Sequence, residues 1–276
     1  MKIALYQGPP TDGDIEGTLS RINSQLHAAA TAGATMVVFP ELFLPGYNRP
    51  DLHPRLAQTR GGAWMEHLSS MVRNARCGLT IGWAERASDA QNKDGDANSD
   101  DHLGNTIYNA ATCFDANGNV IGHYRKIQLF GPMENQSFRP GTDYCVFDLN
   151  GIRTAILICY DIEFAPHVRA LAQRGVKLIL VPTANPKGFE HVSRVMVPAR
   201  ATEMSATIVY ANYCGTEQGL EFAGRSLIVG PDANIIARAG TSETLLVATI
   251  ANPINSALLS TQLSDFTPVS QRVPEP

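Results

Sequence analysis

The chain of 276 residues has 26 acidic and 22 basic side chains, a formal net charge of -4, and 44% hydrophobic residues. This composition favours a globular protein with a large apolar core and excludes an intrinsically disordered chain. No cluster of lysine and arginine side chains offers a track for phosphates, so nucleic acid is not an expected partner.

The termini and the cysteines limit the class of protein further. The first ten residues, MKIALYQGPP, contain an apolar stretch too short for a signal peptide, and no segment reaches the roughly 18 apolar residues of a membrane span. We therefore expect a cytoplasmic protein without a membrane partner. The five cysteines include no CxxC pair, which argues against a disulfide framework. No His/Cys/Asp set has ligand spacing, so we expect neither a metal nor an organic cofactor.

The first third of the chain alternates strands and helices. Hydrophobic periodicity predicts a βαβαβ order, with elements at Lys2–Tyr6, Ile15–Leu26, Met36–Phe39, Trp64–Ala75 and Leu79–Trp83. Glu41 follows the second strand directly after Pro40, so we place it at the carboxyl end of that strand. The next segment, 87–104, is rich in Asp, Asn, Ser and Gly, which indicates a surface loop.

Turn residues predict two hairpins in the middle of the chain, after which helices and strands alternate again. The hairpins pair 107–114 with 120–126 and 144–149 with 153–159. Later elements are predicted at 166–173, 177–181, within 190–204, and at 207–211, 226–229, 235–237 and 245–250. Two sheets packed face to face with helices on both outer sides would bury these strands, so we predict a single-domain α/β fold, a four-layer α-β-β-α sandwich. The expected boundaries are 1–251 for this domain and 252–276 for a polar C-terminal tail that is disordered or wraps a partner subunit.

Cys159 is the first candidate for chemistry, because it follows the apolar run 154–158 and precedes polar residues and a helix. This pattern is typical of a nucleophile elbow, in which a sharp strand-to-helix turn exposes a side chain beside backbone N–H groups that bind an oxyanion. A buried core cysteine is the alternative that position alone leaves open. Glu41 and Lys126, each at a strand end, would by themselves be ordinary solvated side chains.

Three short motifs change that interpretation when they are taken together: Phe39-Pro40-Glu41, Tyr124-Arg125-Lys126 and Cys159-Tyr160-Asp161. In this order, and with their flanks up to about residue 250, they resemble the carbon-nitrogen hydrolase (nitrilase) superfamily. The resemblance implies that Glu41 takes the thiol proton, Cys159 attacks and forms a thioester, and Lys126 stabilises the oxyanion. A thiol with a pKa near ~8.5 needs such a base or a nearby cation.

The resemblance implies further site residues around these three. Glu134 matches a second carboxylate of the superfamily that positions substrate or assists proton transfer, and a structural ion pair with Lys126 is the alternative. Glu163 would pair with a substrate ammonium or, alternatively, lie at a helix N-terminus that stabilises its charge. The expected substrate-binding residues are Tyr160, Glu163, Asn185 and Tyr47.

Within the superfamily the segments 41–48 and 159–164 resemble those of aliphatic and ω-amino-acid amidases such as 5-aminopentanamidase. We therefore expect a thiol amidase that hydrolyses a small aliphatic or ω-amino amide to a carboxylic acid and ammonia, as a homodimer or larger homo-oligomer. N-carbamoyl amine hydrolysis and nitrile hydrolysis by the same residues are the alternatives. An inactive relative is disfavoured because all three reactive positions are filled. One departure, Ala165-Pro166 in place of the usual Pro-Glu, affects the helix after the nucleophile.

Overall fold

The computed structural model describes residues 1–88, 106–250, 257 and 259–268. The surface loop predicted at 87–104 lies, apart from its first two residues, outside the described residues. The boundary predicted at 251 also lies outside them, so both remain predictions.

The first of two six-stranded sheets has the strand order β14-β1-β2-β3-β4-β5. Its strands are β1 Lys2–Gln7, β2 Met36–Val38, β3 Gly78–Arg86, β4 Ile107–Phe114, β5 Val120–Arg125 and β14 Thr244–Thr249. Strands β1, β2 and β3 run parallel, and antiparallel strands flank them on both sides. The carboxyl ends of the three parallel strands therefore lie at one edge of the sheet.

The second sheet repeats this plan with the order β13-β12-β9-β8-β7-β6. Its strands are β6 Cys145–Leu149, β7 Ile152–Ile156, β8 Leu178–Pro182, β9 Thr207–Ala211, β12 Leu227–Val229 and β13 Ile235–Arg238. Strands β7, β8 and β9 run parallel, and β6 and β12 flank them in the antiparallel sense. A separate two-stranded hairpin consists of β10 Thr216–Glu217 and β11 Leu220–Glu221.

Seven α-helices occur in the described part of the chain. They are α1 Ile15–Thr31, α2 His53–Leu56, α3 Ala63–Ala75, α4 Gly131–Ser137, α5 Ala165–Gln173, α6 Val197–Met204 and α7 Gln262–Asp265. Helix α1 begins after Asp14 because the Asp14 carboxylate accepts a hydrogen bond of 3.0 Å from the Gly17 N–H. No helix among the described residues is both long and apolar enough to cross a membrane.

Alternate residues of the first sheet pack on opposite sides. In β1, Ile3 and Leu5 belong to the core between the two sheets, whereas Ala4 and Tyr6 face the side that α1 and α3 cover. Helices α5 and α6 contribute their buried residues to the core of the second sheet. Because strands between two such layers are buried on both faces, they are almost continuously apolar. The predicted four-layer α-β-β-α sandwich is confirmed.

Short elements are where the structure adds to the predictions. Helices α2 and α4 and the hairpin β10–β11 were not predicted, because segments of two to seven residues give no measurable periodicity. The helix predicted within 190–204 is divided into a π-turn, Val192–Met196, and α6. Pro198 lies in the first turn of α6 and lacks the N–H that would continue the hydrogen-bond ladder. Helix α5 begins at Ala165 with Pro166 in its first turn, so the unusual Ala-Pro pair fits a helix start.

A buried carboxylate near the end of β3 is the centre of a cluster of basic side chains from β5 and from the segment between α2 and α3. Glu85 accepts hydrogen bonds from Arg60 at 2.9 Å, from Arg125 at 2.7 and 2.9 Å, and from His123 at 2.9 Å. Burial alone would raise the pKa of Glu85, but the hydrogen bonds from Arg125 and His123 outweigh it and lower the pKa to about 2. The cluster therefore stabilises the fold through a charged carboxylate.

Candidate active site

Strand ends from both sheets meet at one place. Glu41 follows β2 of the first sheet, Lys126 follows β5, and Cys159 follows β7 of the second sheet. The backbone N–H of Glu41 donates to the carbonyl oxygen of Thr183, which follows β8, at 3.3 Å. This bond joins the carboxyl ends of parallel strands from the two sheets, where α/β folds commonly place their chemistry.

Cys159 lies at the start of a tight 3-10 turn, Cys159–Glu163, that connects β7 to α5. Its backbone has φ of 44°, a left-handed conformation that a non-glycine residue adopts at a cost of order 1–3 kcal/mol. The residue Cys159 is 9% exposed, so the turn presents a nearly buried thiol. The predicted strand-to-helix elbow at Cys159 is therefore present in the structure.

The carboxylate of Asp161 fixes this turn to the strand end that carries Lys126. It accepts hydrogen bonds from the Ile158 N–H at 3.0 Å, from the Tyr124 hydroxyl at 2.9 Å and from the Gln128 N–H at 2.8 Å. Asp161 is fully buried. Of its three donors, Ile158 is adjacent to Cys159, and Tyr124 and Gln128 each lie two residues from Lys126. The relative position of thiol and ammonium thus depends on one carboxylate.

The Lys126 ammonium lies between two carboxylates. Its Nζ donates to Oε1 of Glu41 at 2.6 Å and to Oε1 of Glu134 at 2.7 Å, and all three side chains are fully buried. Asn109 of β4 donates to the same Glu41 oxygen at 2.7 Å, and the Tyr47 hydroxyl donates to Glu134 Oε1 at 2.8 Å. Glu134 therefore forms the ion pair with Lys126 that the sequence left as an alternative.

The charges of this cluster shift the proton affinities of its members. Burial raises the pKa of Glu41 to about 7; Lys126 opposes this shift and Glu134 adds to it. Burial alone would lower the pKa of Lys126, but Glu134 and Glu41 raise it far above its ordinary value, so the side chain is an ammonium. The second oxygen of Glu41, Oε2, is buried without a hydrogen-bond partner among the described residues. A buried carboxylate oxygen left free in this way can accept a proton.

Burial raises the pKa of the Cys159 thiol well above its ordinary value. The charge of Glu41 raises this pKa further, whereas Lys126 and a backbone hydrogen bond from Ala184 lower it. The resting thiol is therefore neutral, and it needs a base to become a nucleophile.

Comparison with known proteins identifies the family of this chain. Residues 2–256 match the family model described as carbon-nitrogen hydrolase. The chain belongs to the carbon-nitrogen hydrolase family. It is 37% identical to a Pseudomonas protegens protein named "Hydrolase in pqqF 5'region", over 97% of this chain and 90% of that protein. It is also 34% identical to an (R)-stereoselective amidase of a Pseudomonas species, over 88% of this chain and 82% of that protein.

The solved structure of an amidase from Nesterenkonia sp. AN1 is similar to this carbon-nitrogen hydrolase over 96% of each chain, with a TM-score of 0.83 and 31% sequence identity. Mutants of that amidase were solved with acrylamide and with the acetamide moiety of fluoroacetamide added at the active-site cysteine, and another mutant was solved in complex with butyramide. The predicted membership of the nitrilase superfamily is confirmed.

The predicted substrate-binding residues of this carbon-nitrogen hydrolase have different surroundings. The half-buried ring of Tyr160 packs against Phe130 and Phe164, with ring centroids 5.2 and 4.9 Å away, respectively. The Asn185 amide donates to the carbonyl of Phe189 at 3.0 Å, so it shapes the loop after β8. Tyr47 is engaged with Glu134, as described above.

Glu163 ends the turn that begins at Cys159, and its carboxylate is half-buried. Burial raises the pKa of this carboxylate, and His191, Lys126 and Arg200 lower it. No hydrogen bond to the carboxylate oxygens is found among the described residues. The group is thus a half-buried anion near the thiol without a bonded partner in the described part of the chain.

Sequence reasoning missed two polar residues that support the site. Asn109 lies within the predicted strand 107–114, where a buried amide needs a hydrogen-bond partner and is therefore a signal in itself. Asp161 belongs to the motif Cys159-Tyr160-Asp161, but sequence alone does not predict its three hydrogen bonds. Within the described residues, no group of three or more His, Cys, Asp or Glu side chains could hold a metal ion.

Proposed function

We propose that the protein is a thiol amidase in which Cys159 is the nucleophile, Glu41 the general base and Lys126 the oxyanion-stabilising group. The observation that carries this proposal is the buried Lys126 ammonium between two carboxylates, beside the constrained turn of Cys159. The second oxygen of Glu41, Oε2, has no hydrogen-bond partner among the described residues and is therefore available to take the thiol proton.

Acylation begins when Glu41 removes the thiol proton while the sulfur attacks the amide carbonyl carbon. The carbonyl oxygen becomes an oxyanion, which the Lys126 ammonium and the Tyr160 backbone N–H stabilise. The protonated Glu41 then gives its proton to the leaving nitrogen, the carbon–nitrogen bond breaks, and ammonia departs. A thioester on Cys159 remains.

Deacylation uses the same groups in the opposite sense. Glu41, again ionised, takes a proton from water, and the resulting hydroxide attacks the thioester carbon. Lys126 stabilises the second oxyanion. Collapse of this intermediate breaks the carbon–sulfur bond, returns the proton from Glu41 to the sulfur of Cys159, and releases the carboxylic acid.

The substrate class that we propose is a small aliphatic or ω-amino amide. A neutral aliphatic amide as substrate is supported by the Nesterenkonia amidase, because a mutant of that protein was solved with butyramide. The amino part is supported by Glu163, a half-buried carboxylate with no hydrogen bond to its oxygens among the described residues, because such a group gains from pairing with a substrate ammonium. Assembly into a homodimer or larger homo-oligomer remains a prediction.

Ammonia release from a panel of neutral aliphatic amides, ω-amino amides, N-carbamoyl amines and matched nitriles tests the reaction. We expect turnover of at least one amide by the wild type and none by Cys159→Ala. Cys145→Ala is the matched control, because it removes a thiol from an edge strand outside the site. Turnover that survives Cys159→Ala would refute the mechanism, and a preference for nitriles or carbamoyl compounds would replace the substrate class.

Replacement of Glu163 by Gln tests the ammonium pairing. We expect KM for an ω-amino amide to rise by roughly 10- to 100-fold, since a hydrogen bond to a charged group contributes about 1.5–3 kcal/mol. KM for a neutral amide of the same length should stay unchanged. Equal changes for the two substrates would refute the pairing without affecting the thiol mechanism.

A further inference from the structure

A further buried carboxylate, that of Glu217, lies outside the catalytic cluster on the hairpin β10–β11. Oε2 of Glu217 accepts a hydrogen bond from the Asn48 N–H at 2.5 Å, and the Asn48 side-chain amide donates to the Glu217 carbonyl at 3.1 Å. The other carboxylate oxygen, Oε1, is buried and has no hydrogen-bond partner among the described residues. Glu217 is therefore fixed to one short loop by bonds from both its main chain and its side chain.

That loop, residues 40–48, connects two parts of the candidate active site. Glu41 lies at its start, and Tyr47 lies next to the residue that Glu217 binds. The Tyr47 hydroxyl donates to Glu134 at 2.8 Å, and Glu134 in turn accepts from Lys126 at 2.7 Å. A displacement of the loop end would thus reach the catalytic ammonium through two hydrogen bonds.

We infer that Glu217 is a positioning residue, which holds the end of the loop 40–48 so that the Tyr47 hydroxyl stays bonded to Glu134. The inference rests on the proposed function, because it assigns Glu217 a role through the cluster around Lys126. Glu217 itself touches neither the thiol nor the ammonium in any described contact.

The packing around Glu217 supports a specific role for its carboxylate. Gly46 has φ of 134°, and a Cβ placed on it would collide with Glu217 Oε1, so the carboxylate lies directly against the loop backbone. The ring centroids of Tyr47 and Phe222 lie 6.2 Å apart, and those of Phe222 and Tyr213 lie 4.8 Å apart in a stacked arrangement. Phe222 directly follows the hairpin. The aromatic contacts limit where the ring can lie, and the carboxylate fixes the main chain that carries it.

The surrounding charges agree with this role. Burial raises the pKa of Glu217 to about 7, the Asn48 N–H lowers it, Asp12 raises it and Arg49 lowers it. No ion pair within 4.0 Å involves Glu217 in the described part of the chain, so the backbone N–H is its principal polar contact. The hydrogen bonds that Glu217 accepts from Asn48 therefore attach this buried residue to the loop that carries Tyr47.

A double-mutant cycle in kcat tests the inference on a neutral amide that the wild type hydrolyses. We expect Glu217→Ala to lower kcat by roughly tenfold in the wild type but by less than about twofold in the Tyr47→Phe background, because the hydroxyl through which it acts is then absent. Glu221→Ala is the matched control: the residue lies on the same hairpin, where its exposed carboxylate pairs with Lys187 at 2.9 Å. It should change kcat by less than about twofold in both backgrounds.

Glu217→Gln serves if the alanine variant does not fold. Its amide keeps one oxygen for the Asn48 N–H, so we expect a fall in kcat of roughly threefold with the same loss of effect in the Tyr47→Phe background. Equal effects in both backgrounds, or no fall in kcat, would overturn the inference. An unchanged kcat in Tyr47→Phe alone would overturn it as well. The proposed function is judged separately, by the loss of turnover in Cys159→Ala.

Discussion

Replacing Glu134 by Gln should move the acidic limb of the pH–rate profile to lower pH. As the general base, Glu41 must be ionised, so kcat/KM falls as pH drops through its pKa, which is raised to about 7. Burial is the largest cause of that shift, Lys126 opposes it, and the negative charge of Glu134 adds to it. A neutral glutamine side chain in place of Glu134 removes this last contribution and leaves the Lys126 ammonium to Glu41 alone, so ionised Glu41 becomes more stable.

The expected shift follows from the geometry. The bonded oxygens of Glu41 and Glu134 contact one nitrogen at 2.6 and 2.7 Å, so they lie at most about 5 Å apart. Two charges at that separation interact with roughly 3 kcal/mol at an effective dielectric constant near 20. Because the ammonium between them neutralises part of this repulsion, we expect a shift of about one pH unit, which corresponds to about 1.4 kcal/mol.

The assay is kcat/KM for a neutral amide as a function of pH, with Glu221→Gln as an exposed-carboxylate control. The plateau should also fall by about 10- to 100-fold, because Glu134 loses charge-assisted hydrogen bonds that contribute about 1.5–3 kcal/mol. An acidic limb that stays in place or moves to higher pH would refute the assignment of the limb to Glu41.

Three further predictions concern the supporting residues. Gly82→Ala should lower kcat by at least roughly tenfold, since the added Cβ would lie 2.5–2.8 Å from the backbone of residues 41 and 42. Gly61→Ala is the control and should be neutral, because no described atom lies within 4 Å of its Cβ. Equal activities of the two variants would contradict this prediction. Asp161→Asn should lower the free energy of unfolding in urea by about 1–3 kcal/mol, because the amide nitrogen of asparagine would face a backbone N–H donor. The variant should also change the rate at which Cys159 is alkylated. Unchanged values of both quantities would contradict this prediction. The fold lowers the pKa of Glu85 from 4.5 to about 2, so its ionised carboxylate contributes about 3 kcal/mol to the free energy of unfolding. This contribution is complete above pH 4.5 and is lost as pH falls toward 2. An equally steep loss of stability in acid by Glu85→Gln would refute this prediction.

The main strands and the positions of the motif residues could be predicted from the sequence. Long apolar runs such as β3 and β9 are buried on both faces, so their composition alone identifies them. Glu41 and Cys159 directly follow such runs, and the carboxyl ends of parallel strands lie at one edge of a sheet. For these residues, the local sequence pattern and the architecture of the fold predict the same position, at the carboxyl edge of the sheets.

The support of the site could not be predicted in this way. Glu217 lies on a hairpin of two-residue strands and binds Asn48, which is 169 residues away in the chain. Asn109 and Glu41 are 68 residues apart. Such contacts depend on how the sheets and loops pack, and a single sequence contains no periodic signal for them. Helix α4, which carries Glu134, has only seven residues and was missed for the same reason.

The balance of charge in the cluster explains why a buried ammonium with two carboxylates suits amide hydrolysis. With a neutral thiol, the ionised Glu41, the ammonium of Lys126 and the carboxylate of Glu134 carry one net negative charge on three fully buried side chains. When the thiol proton moves to Glu41 and the sulfur attacks, one negative charge leaves Glu41 and appears on the substrate oxygen. Because Lys126 is proposed to stabilise that oxygen too, the step moves a charge from one side of the ammonium to another and creates no new buried charge. A low-dielectric site penalises new charge far more than such a transfer, so the same burial that raises the pKa of Glu41 also favours the oxyanion beside Lys126.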